Sequence, residues 1–94
     1  MPKPCLKLYI AGTTVHSQRA VQNLRKICEE IVESGCEVDI IDVLLYPDRA
    51  EEDKIIATPT LIRASPPPVR RVIGDLTDIS RVIAILGLNA ASEL

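Results

Sequence analysis

The amino-acid sequence predicts a mixed α/β fold with the element order βαβαββα, and three observations support this prediction. Apolar residues that alternate and then run together indicate four short strands, at 7–11, 36–45, 58–64 and 69–75. Apolar residues also recur every three or four positions between 20 and 32, which is typical of an amphipathic helix. The pair Thr58-Pro59 stands at the entry of the third predicted strand, and a last helical segment follows the fourth.

The first part of the chain is predicted to form a βαβ unit. The strand over about 7–11 leads into a helix that Thr14 or Ser17 would cap and that Gly35 would end. The second strand, 36–45, is expected to be buried on both faces near its end. Because a helix joins the two strands, they should lie parallel, with a right-handed crossover.

The middle of the chain is predicted to hold a short helix. The apolar run DVLLYP at 42–47 should be buried as the end of the second strand rather than exposed as a contact patch. Asp48 and Glu51 then form a capping-box pattern after Pro47. This pattern predicts a helix over about 49–56.

The last part is predicted to form a ββα unit. The rigid turn PPP at 66–68 would join the third and fourth strands into a hairpin. Thr77 or Asp78 would cap a final helix over 79–91, which has Gly87 inside it and many β-branched residues that favour strands. A βαβ unit followed by a ββα unit, with Thr-Pro entering the third strand, is the thioredoxin-like arrangement.

Composition limits the function classes. With 94 residues, the chain is expected to form a single domain over 1–94. A net charge of −2 gives no general attraction to nucleic acid or membranes, and no apolar stretch could span a bilayer, so we expect a cytoplasmic protein. Two Tyr and no Phe or Trp leave the core few large side chains, for which oligomerisation would be an ordinary remedy.

The sequence predicts no catalytic chemistry. A thioredoxin-fold redox enzyme needs a thiolate in the turn after its first strand, and the turn AGTTVHSQ at 11–18 has no cysteine. Cys5, Cys28 and Cys36 lie elsewhere and form no C-x-x-C pair, and His16 has no partner at the spacing of a catalytic or metal site. We therefore expect no enzyme activity, metal or cofactor. A thiol-handling protein that lacks the usual active-site cysteines is the alternative function.

Positive charge in the second half is concentrated in four arginines, which are Arg63, Arg70, Arg71 and Arg81. No aromatic residue stands among them, so they offer no stacking platform for single-stranded nucleic acid. Exposed arginines beside a rigid proline turn fit protein recognition, and they fit equally well the protection of an exposed strand edge.

Four segments carry a specific resemblance, at 7–14 (KLYIAGTT), 17–24 (SQRAVQNL), 40–61 (IIDVLLYPDRAEEDKIIATPTL) and 66–76 (PPPVRRVIGDL). They resemble the KaiB family of circadian-clock proteins over nearly the whole chain, from about residue 6 to residue 88. The chain departs from the family where GTTVHS replaces the more usual GNTPNS and where ILGLNAASEL stands for the family's GLDLL. These differences indicate a divergent member.

The resemblance implies a non-enzymatic partner of KaiC, a hexameric ATPase whose phosphorylation state carries timing. It also implies two folds, a free homo-oligomer (tetramer or dimer) in a ground-state βαββααβ fold and a thioredoxin-like form that binds KaiC. We predict that the ground-state fold dominates in the free protein. Further implied partners are KaiA or a clock-linked histidine kinase. The sensory domain of such a kinase also resembles this family, but 94 residues contain no kinase region.

Partner-binding residues follow from the motif match. The resemblance places Lys54 of AEEDK, with Glu51 and Glu52 beside it, on the surface that meets KaiC. Arg19 and Arg71 match basic residues of the family that contact partners.

Fold-switch residues also follow from the resemblance. Thr58-Pro59 matches the family's Thr-Pro, which the resemblance implies is cis in the thioredoxin-like form. Gly87 and Asn89 stand in the last element, where residues influence which fold forms.

Overall fold

The structure, a computed structural model, describes residues 3–30 and 35–88. Its strands and helices are β1 (Cys5–Ile10), α1 (Val15–Glu30), β2 (Glu37–Asp42), α2 (Pro47–Glu52), β3 (Thr60–Ser65), β4 (Arg70–Ile73) and α3 (Ile79–Leu86). The predicted order βαβαββα is confirmed, and most element boundaries differ from the predicted ones by a few residues. No helix among these elements is long and apolar enough to cross a membrane.

The four strands form one sheet in the order β2-β1-β3-β4. The crossover through α1 makes β2 parallel to β1, as the βαβ prediction requires. The proline turn brings β4 back beside β3 in an antiparallel hairpin, with Thr60 opposite Ile73. Because side chains alternate along each strand, every strand contributes to both faces of the sheet.

The helices cover the two faces unequally. Helices α1 and α3 pack on one face against the leucines of β1 and β3, and this large cluster is the main core. Its buried members are Leu6, Leu8, Ala20, Leu24, Ile27, Leu61, Leu76, Val82, Leu86 and Leu88. The other face holds a small cluster of Tyr9, Ile41 and Ile62, against which residues of α2 and the loop after it pack.

The helix starts were predicted with mixed success. Thr14 caps α1, since its hydroxyl oxygen accepts the N–H of Ser17 at 3.2 Å. The capping box predicted for α2 is wrong, because the helix begins earlier and Tyr46 precedes it without a side-chain cap. Pro47 occupies the first turn, where its fixed φ and missing N–H suit a helix start.

Helix α3 is shorter than predicted. The Asp78 carboxylate accepts the N–H of Arg81 at 3.2 Å, so one of the two predicted caps is present. Gly87 does not lie inside the helix but ends it, in a left-handed conformation with φ of 65°. The N–H of Leu88 donates to the carbonyl of Ile83 at 2.9 Å and completes the turn. The rest of the predicted helix, 89–91, lies outside the described residues.

The expected burial of 42–47 is wrong. Strand β2 is an edge strand whose side chains are mostly exposed, and Leu44, Leu45 and Tyr46 are 70, 69 and 54% exposed. They form the connection between β2 and α2, and the short helix that follows covers only the small cluster. An apolar run in the sequence therefore marks a surface patch here.

Arg63 is buried, although the sequence predicted an exposed arginine. It is 7% exposed and lies on β3 opposite Leu6, on the face that α3 covers. Its guanidinium donates to the carbonyls of Leu86 at 2.6 Å and Pro68 at 2.7 Å. Arg63 thus ties the end of α3 and the proline turn to the sheet.

Candidate functional site

Helix α2 lies on the sheet face formed by Tyr9, Ile41 and Ile62. Ala50 of α2 and Ile55, just after it, pack against these three side chains. The apolar side of the helix is therefore held on the sheet, and its charged side faces solvent.

The backbone of Lys54 ends α2 in a left-handed conformation, with φ of 55°. Its N–H donates to the carbonyl of Glu51 at 3.1 Å, and the N–H of Ile55 donates to the carbonyl of Ala50 at 2.9 Å. These two bonds form a Schellman motif, in which glycine usually takes the left-handed position. A residue with a Cβ atom adopts this conformation at a cost of about 1 kcal/mol. Lys54 is therefore the strained end of the helix, and its side chain is exposed.

Asp53 anchors the same turn to β1. Its carboxylate accepts hydrogen bonds from the Tyr9 hydroxyl at 2.5 Å and from the Lys7 ammonium at 3.2 Å. The Tyr9 hydroxyl, followed by Lys7, lowers the pKa of Asp53. Burial and the bond to Asp53 raise the pKa of Tyr9 to about 12. At neutral pH the pair is thus a neutral donor and a charged acceptor.

Arg71 holds the turn from the other side. It lies on β4 opposite Ile62, so its side chain lies on the face that α2 covers. Its guanidinium donates to the backbone carbonyl of Asp53 at 3.0 Å and to that of Lys54 at 3.3 Å. The turn after α2 is therefore tied to both β1 and β4.

Four of the five predicted partner-binding residues lie together. They are Glu51, Glu52, Lys54 and Arg71, all exposed, and we call the area they form the α2 surface. It presents both signs of charge on a turn whose backbone is held by hydrogen bonds. Such a fixed charge pattern suits recognition of another protein more than chemistry on a small molecule.

The fifth residue, Arg19, lies elsewhere. It is on α1, which covers the opposite face of the sheet, and its guanidinium is 3.3 Å from the Asp75 carboxylate. His16 is 71% exposed, and its Nδ1 lies 3.6 Å from the same carboxylate. Thr77 and Arg19 lower the pKa of Asp75. The structure does not bring this cluster together with the α2 surface.

Three of the four predicted fold-switch residues are described. The Thr58-Pro59 bond is cis, and the Pro59 carbonyl accepts the N–H of Gly74 at 2.9 Å. Gly87 is the left-handed end of α3. Asn89 lies outside the described residues, and a role for any of the four in switching folds stays a prediction.

The cysteines lie far from the position that thiol chemistry would need. Pro59 enters β3 beside the end of β1, near the turn that follows β1. Cys5 pairs with Ser65 at the opposite end of that strand pair, and Cys36 leads into β2 at the same end. Burial, followed by Cys28, raises the pKa of the Cys36 thiol to about 12, so it stays protonated at neutral pH. In the described part of the chain, no three His, Cys, Asp or Glu side chains converge as a metal site requires.

Two features of the site could not be read from the sequence. The left-handed backbone of Lys54 has no sequence signal, because glycine is the usual residue there. The bonds from Arg71 join positions 17 and 18 residues apart and depend on the β3–β4 register. For Arg63 a sequence signal did exist. It lies two residues after Leu61 in the apolar run TLIRA, so on a strand its side chain shares the face of Leu61, which belongs to the main core.

Comparisons with known proteins agree on one family. The family model described as KaiB domain matches residues 7–88. The circadian clock protein KaiB3 of Synechocystis is 47% identical over 93 residues, which is 99% of this chain and 89% of that protein.

Solved structures show the same fold. The N-terminal domain of Synechococcus elongatus SasA superimposes with a TM-score of 0.74 at 25% identity, over 93% of this chain and 87% of that one. A chloroplastic thioredoxin z superimposes with a TM-score of 0.74 at 22% identity, over 96% of this chain and 80% of that one. The predicted thioredoxin-like fold is thus confirmed.

Proposed function

This chain belongs to the KaiB family of clock proteins, and we propose that it is a non-enzymatic regulator that binds a KaiC-type ATPase hexamer and modulates its phosphorylation and ATPase cycle. The regulation serves a clock or a stress-timing response in the cytoplasm. The whole chain, 1–94, acts as one binding domain without cofactor, nucleic acid or membrane.

The α2 surface is the proposed contact with the ATPase, and one observation supports it above the others. Lys54 sits at a strained left-handed turn, with its side chain exposed between two glutamates and an arginine. Strain of this kind persists only where the surroundings hold it, and it is frequent at functional sites. Here the backbone of the turn is held by its Schellman bonds and by Arg71, while the side chain of Lys54 makes no hydrogen bond to a described residue. The exposed ammonium group is therefore presented from a fixed turn, which suits binding to a partner.

A second proposed contact involves Arg19, on the α1 side of the sheet. Because α1 and α2 cover opposite faces of the sheet, a single flat partner would not cover both Arg19 and the α2 surface. KaiA or a clock-linked histidine kinase is the further partner in this proposal.

The binding form is proposed to be one of two folds. In the free homo-oligomer, a tetramer or dimer, the second half would adopt the βαββααβ arrangement, with Thr58, Pro59, Gly87 and Asn89 influencing the balance. Support comes from α3, whose eight residues include Ile79, Val82, Ile83 and Ile85, all β-branched. Such a segment can serve as a strand in one fold and a helix in the other. If the binding form is the minor one, apparent affinity falls in proportion to its population.

The test is binding to the KaiC-type ATPase from the same genome, by size-exclusion chromatography and by titration. Lys54→Ala should weaken binding about tenfold, a typical loss for one important interface side chain. Alanine has nearly the same free-energy cost as lysine in the left-handed conformation, so the loss of affinity would report the contribution of the ammonium group. Lys26→Ala is the matched control, since Lys26 is an exposed lysine of α1. The proposal fails if the unmodified chain does not bind, or if both variants bind equally well.

A further inference from the structure

Arg71 makes no salt bridge among the described residues but donates two hydrogen bonds to backbone carbonyls of the turn after α2. We propose that Arg71 is a positioning residue, which holds Lys54 in its left-handed conformation and so makes the α2 surface depend on correct β3–β4 pairing. The effect of Arg71 on the turn is inferred from the geometry alone. Its consequence for binding the ATPase rests on the proposed function.

The first step is that the turn needs support. Lys54 occupies a conformation that its Cβ disfavours, and the Schellman bonds satisfy only carbonyls inside the helix. The carbonyls of Asp53 and Lys54 lie beyond those bonds. Arg71 donates to both of them, at 3.0 and 3.3 Å. Both hydrogen bonds of Arg71 therefore go to the backbone of the turn, and neither goes to the Asp53 carboxylate.

The second step is that the turn is held from two strands. Lys7 and Tyr9 of β1 bind the Asp53 carboxylate, while Arg71 of β4 binds the carbonyls. Strand β3 separates β1 from β4 in the sheet. The turn is consequently held from both sides only when all three strands are paired in the observed order.

The third step concerns register. Arg71 lies opposite Ile62 and faces α2, whereas the neighbouring Arg70 lies opposite Arg63 and faces α3. A slip of one residue in the β3–β4 pairing would turn Arg71 to the wrong face and release the turn. In a chain proposed to switch folds, Arg71 therefore links the pairing of β4 to the presentation of Lys54.

The chemistry of the contact distinguishes arginine from lysine. A guanidinium presents several N–H groups in a fixed plane and can donate to two acceptors at once. The single ammonium of a lysine keeps the charge but does not reproduce this fork. Arg71→Lys should therefore lose the positioning effect although the surface charge is unchanged.

The experiment measures amide hydrogen exchange of Lys54 and Ile55 by NMR on the full chain, together with titration of the KaiC-type ATPase. Arg71→Ala and Arg71→Lys should each speed exchange at these two amides about tenfold, the lower end for loss of charged hydrogen bonds. Arg70→Ala, the matched control on the same strand, should change it less than about twofold, since its one bond, to the Ile85 carbonyl, is 3.4 Å long. Both Arg71 variants should weaken binding, and Arg70→Ala should not.

A second variant separates positioning from direct contact. Lys54→Gly takes the left-handed conformation unaided, so adding Arg71→Ala to it should change exchange at Ile55 much less than in the parent chain. Weaker binding by Arg71→Ala with unchanged exchange would overturn the inference and make Arg71 a direct contact. Binding that is absent in the parent chain, with the exchange changes present, would overturn the proposed function and leave the positioning role in place.

Discussion

Replacing Gly87 with alanine should destabilise the thioredoxin-like fold by more than backbone strain alone. Gly87 has φ of 65°, and a Cβ atom placed there would lie 2.9 Å from Nη1 of Arg63. Alanine in the left-handed region costs about 1 kcal/mol. Arg63 is buried and cannot move away without loosening its 2.6 Å bond to the Leu86 carbonyl, worth about 1.5–3 kcal/mol for a charged donor. Part of that bond should survive, and we expect a total loss of about 2–3 kcal/mol.

Gly35→Ala is the matched control for this variant. Gly35 has a similar φ of 71°, but no described atom lies within 4 Å of the added Cβ. It should lose only the backbone contribution, about 1 kcal/mol. The difference between the two variants then isolates the contact with Arg63.

The assay is urea unfolding followed by circular dichroism, at a concentration where size-exclusion chromatography shows a monomer. The midpoint should fall at constant slope, which indicates a change in stability rather than in the unfolded state. In an Arg63→Met background the extra loss from Gly87→Ala should shrink to that of the control, because contacting residues are not additive. Equal losses for Gly87→Ala and Gly35→Ala in the parent chain would refute the reasoning.

Two further predictions follow from burial and charge. Burial and Asp53 raise the pKa of Tyr9 from 10.0 to about 12, so the stability that this tyrosine contributes below pH 10 should be lost between about pH 10 and 12, because the unfolded state releases its proton first. The pKa of Asp53 is lowered instead, so the stability that its carboxylate contributes above about pH 4 should be lost in acid. Urea unfolding measured across pH should show that Tyr9→Phe reduces both the alkaline and the acid loss of stability. Identical pH profiles for Tyr9→Phe and the parent chain would contradict this. Leu45→Ser should change the free energy of unfolding by less than about 0.5 kcal/mol, while Ile41→Ser should cost about 3 kcal/mol or more, and similar losses would show that 42–47 is buried after all.

The order of the elements could be predicted because it depends on local patterns. The apolar stripe of α1, its Thr14 cap and the Asp78 cap each involve residues within a few positions of one another. The hairpin followed from a proline turn between two short strands. The composition of the α2 surface followed from the family resemblance, because Glu51, Glu52 and Lys54 belong to one short motif.

The capping box of α2 failed as a local pattern, and most other failed predictions needed the position of a segment in the sheet. The apolar run 42–47 was expected to be buried, but β2 is at the edge, and Leu44, Leu45 and Tyr46 of the run are exposed. Arg63 was expected on the surface, but alternation along β3 turns it towards α3. Gly87 was expected inside a helix, but it ends α3, and a Cβ atom there would lie 2.9 Å from Nη1 of Arg63.

By itself, the sequence determined the number, type and order of the elements, the lack of a cysteine in the turn after β1, and the charges next to Lys54. The tertiary structure alone decided which strand is at the edge, which arginine is buried, and that Arg71 holds the backbone of a turn seventeen residues away. The physical reason is the separation along the chain of the residues that interact. Periodicity and capping act between neighbours in the chain, whereas burial and the bonds of Arg63 and Arg71 depend on the strand order β2-β1-β3-β4 and its register.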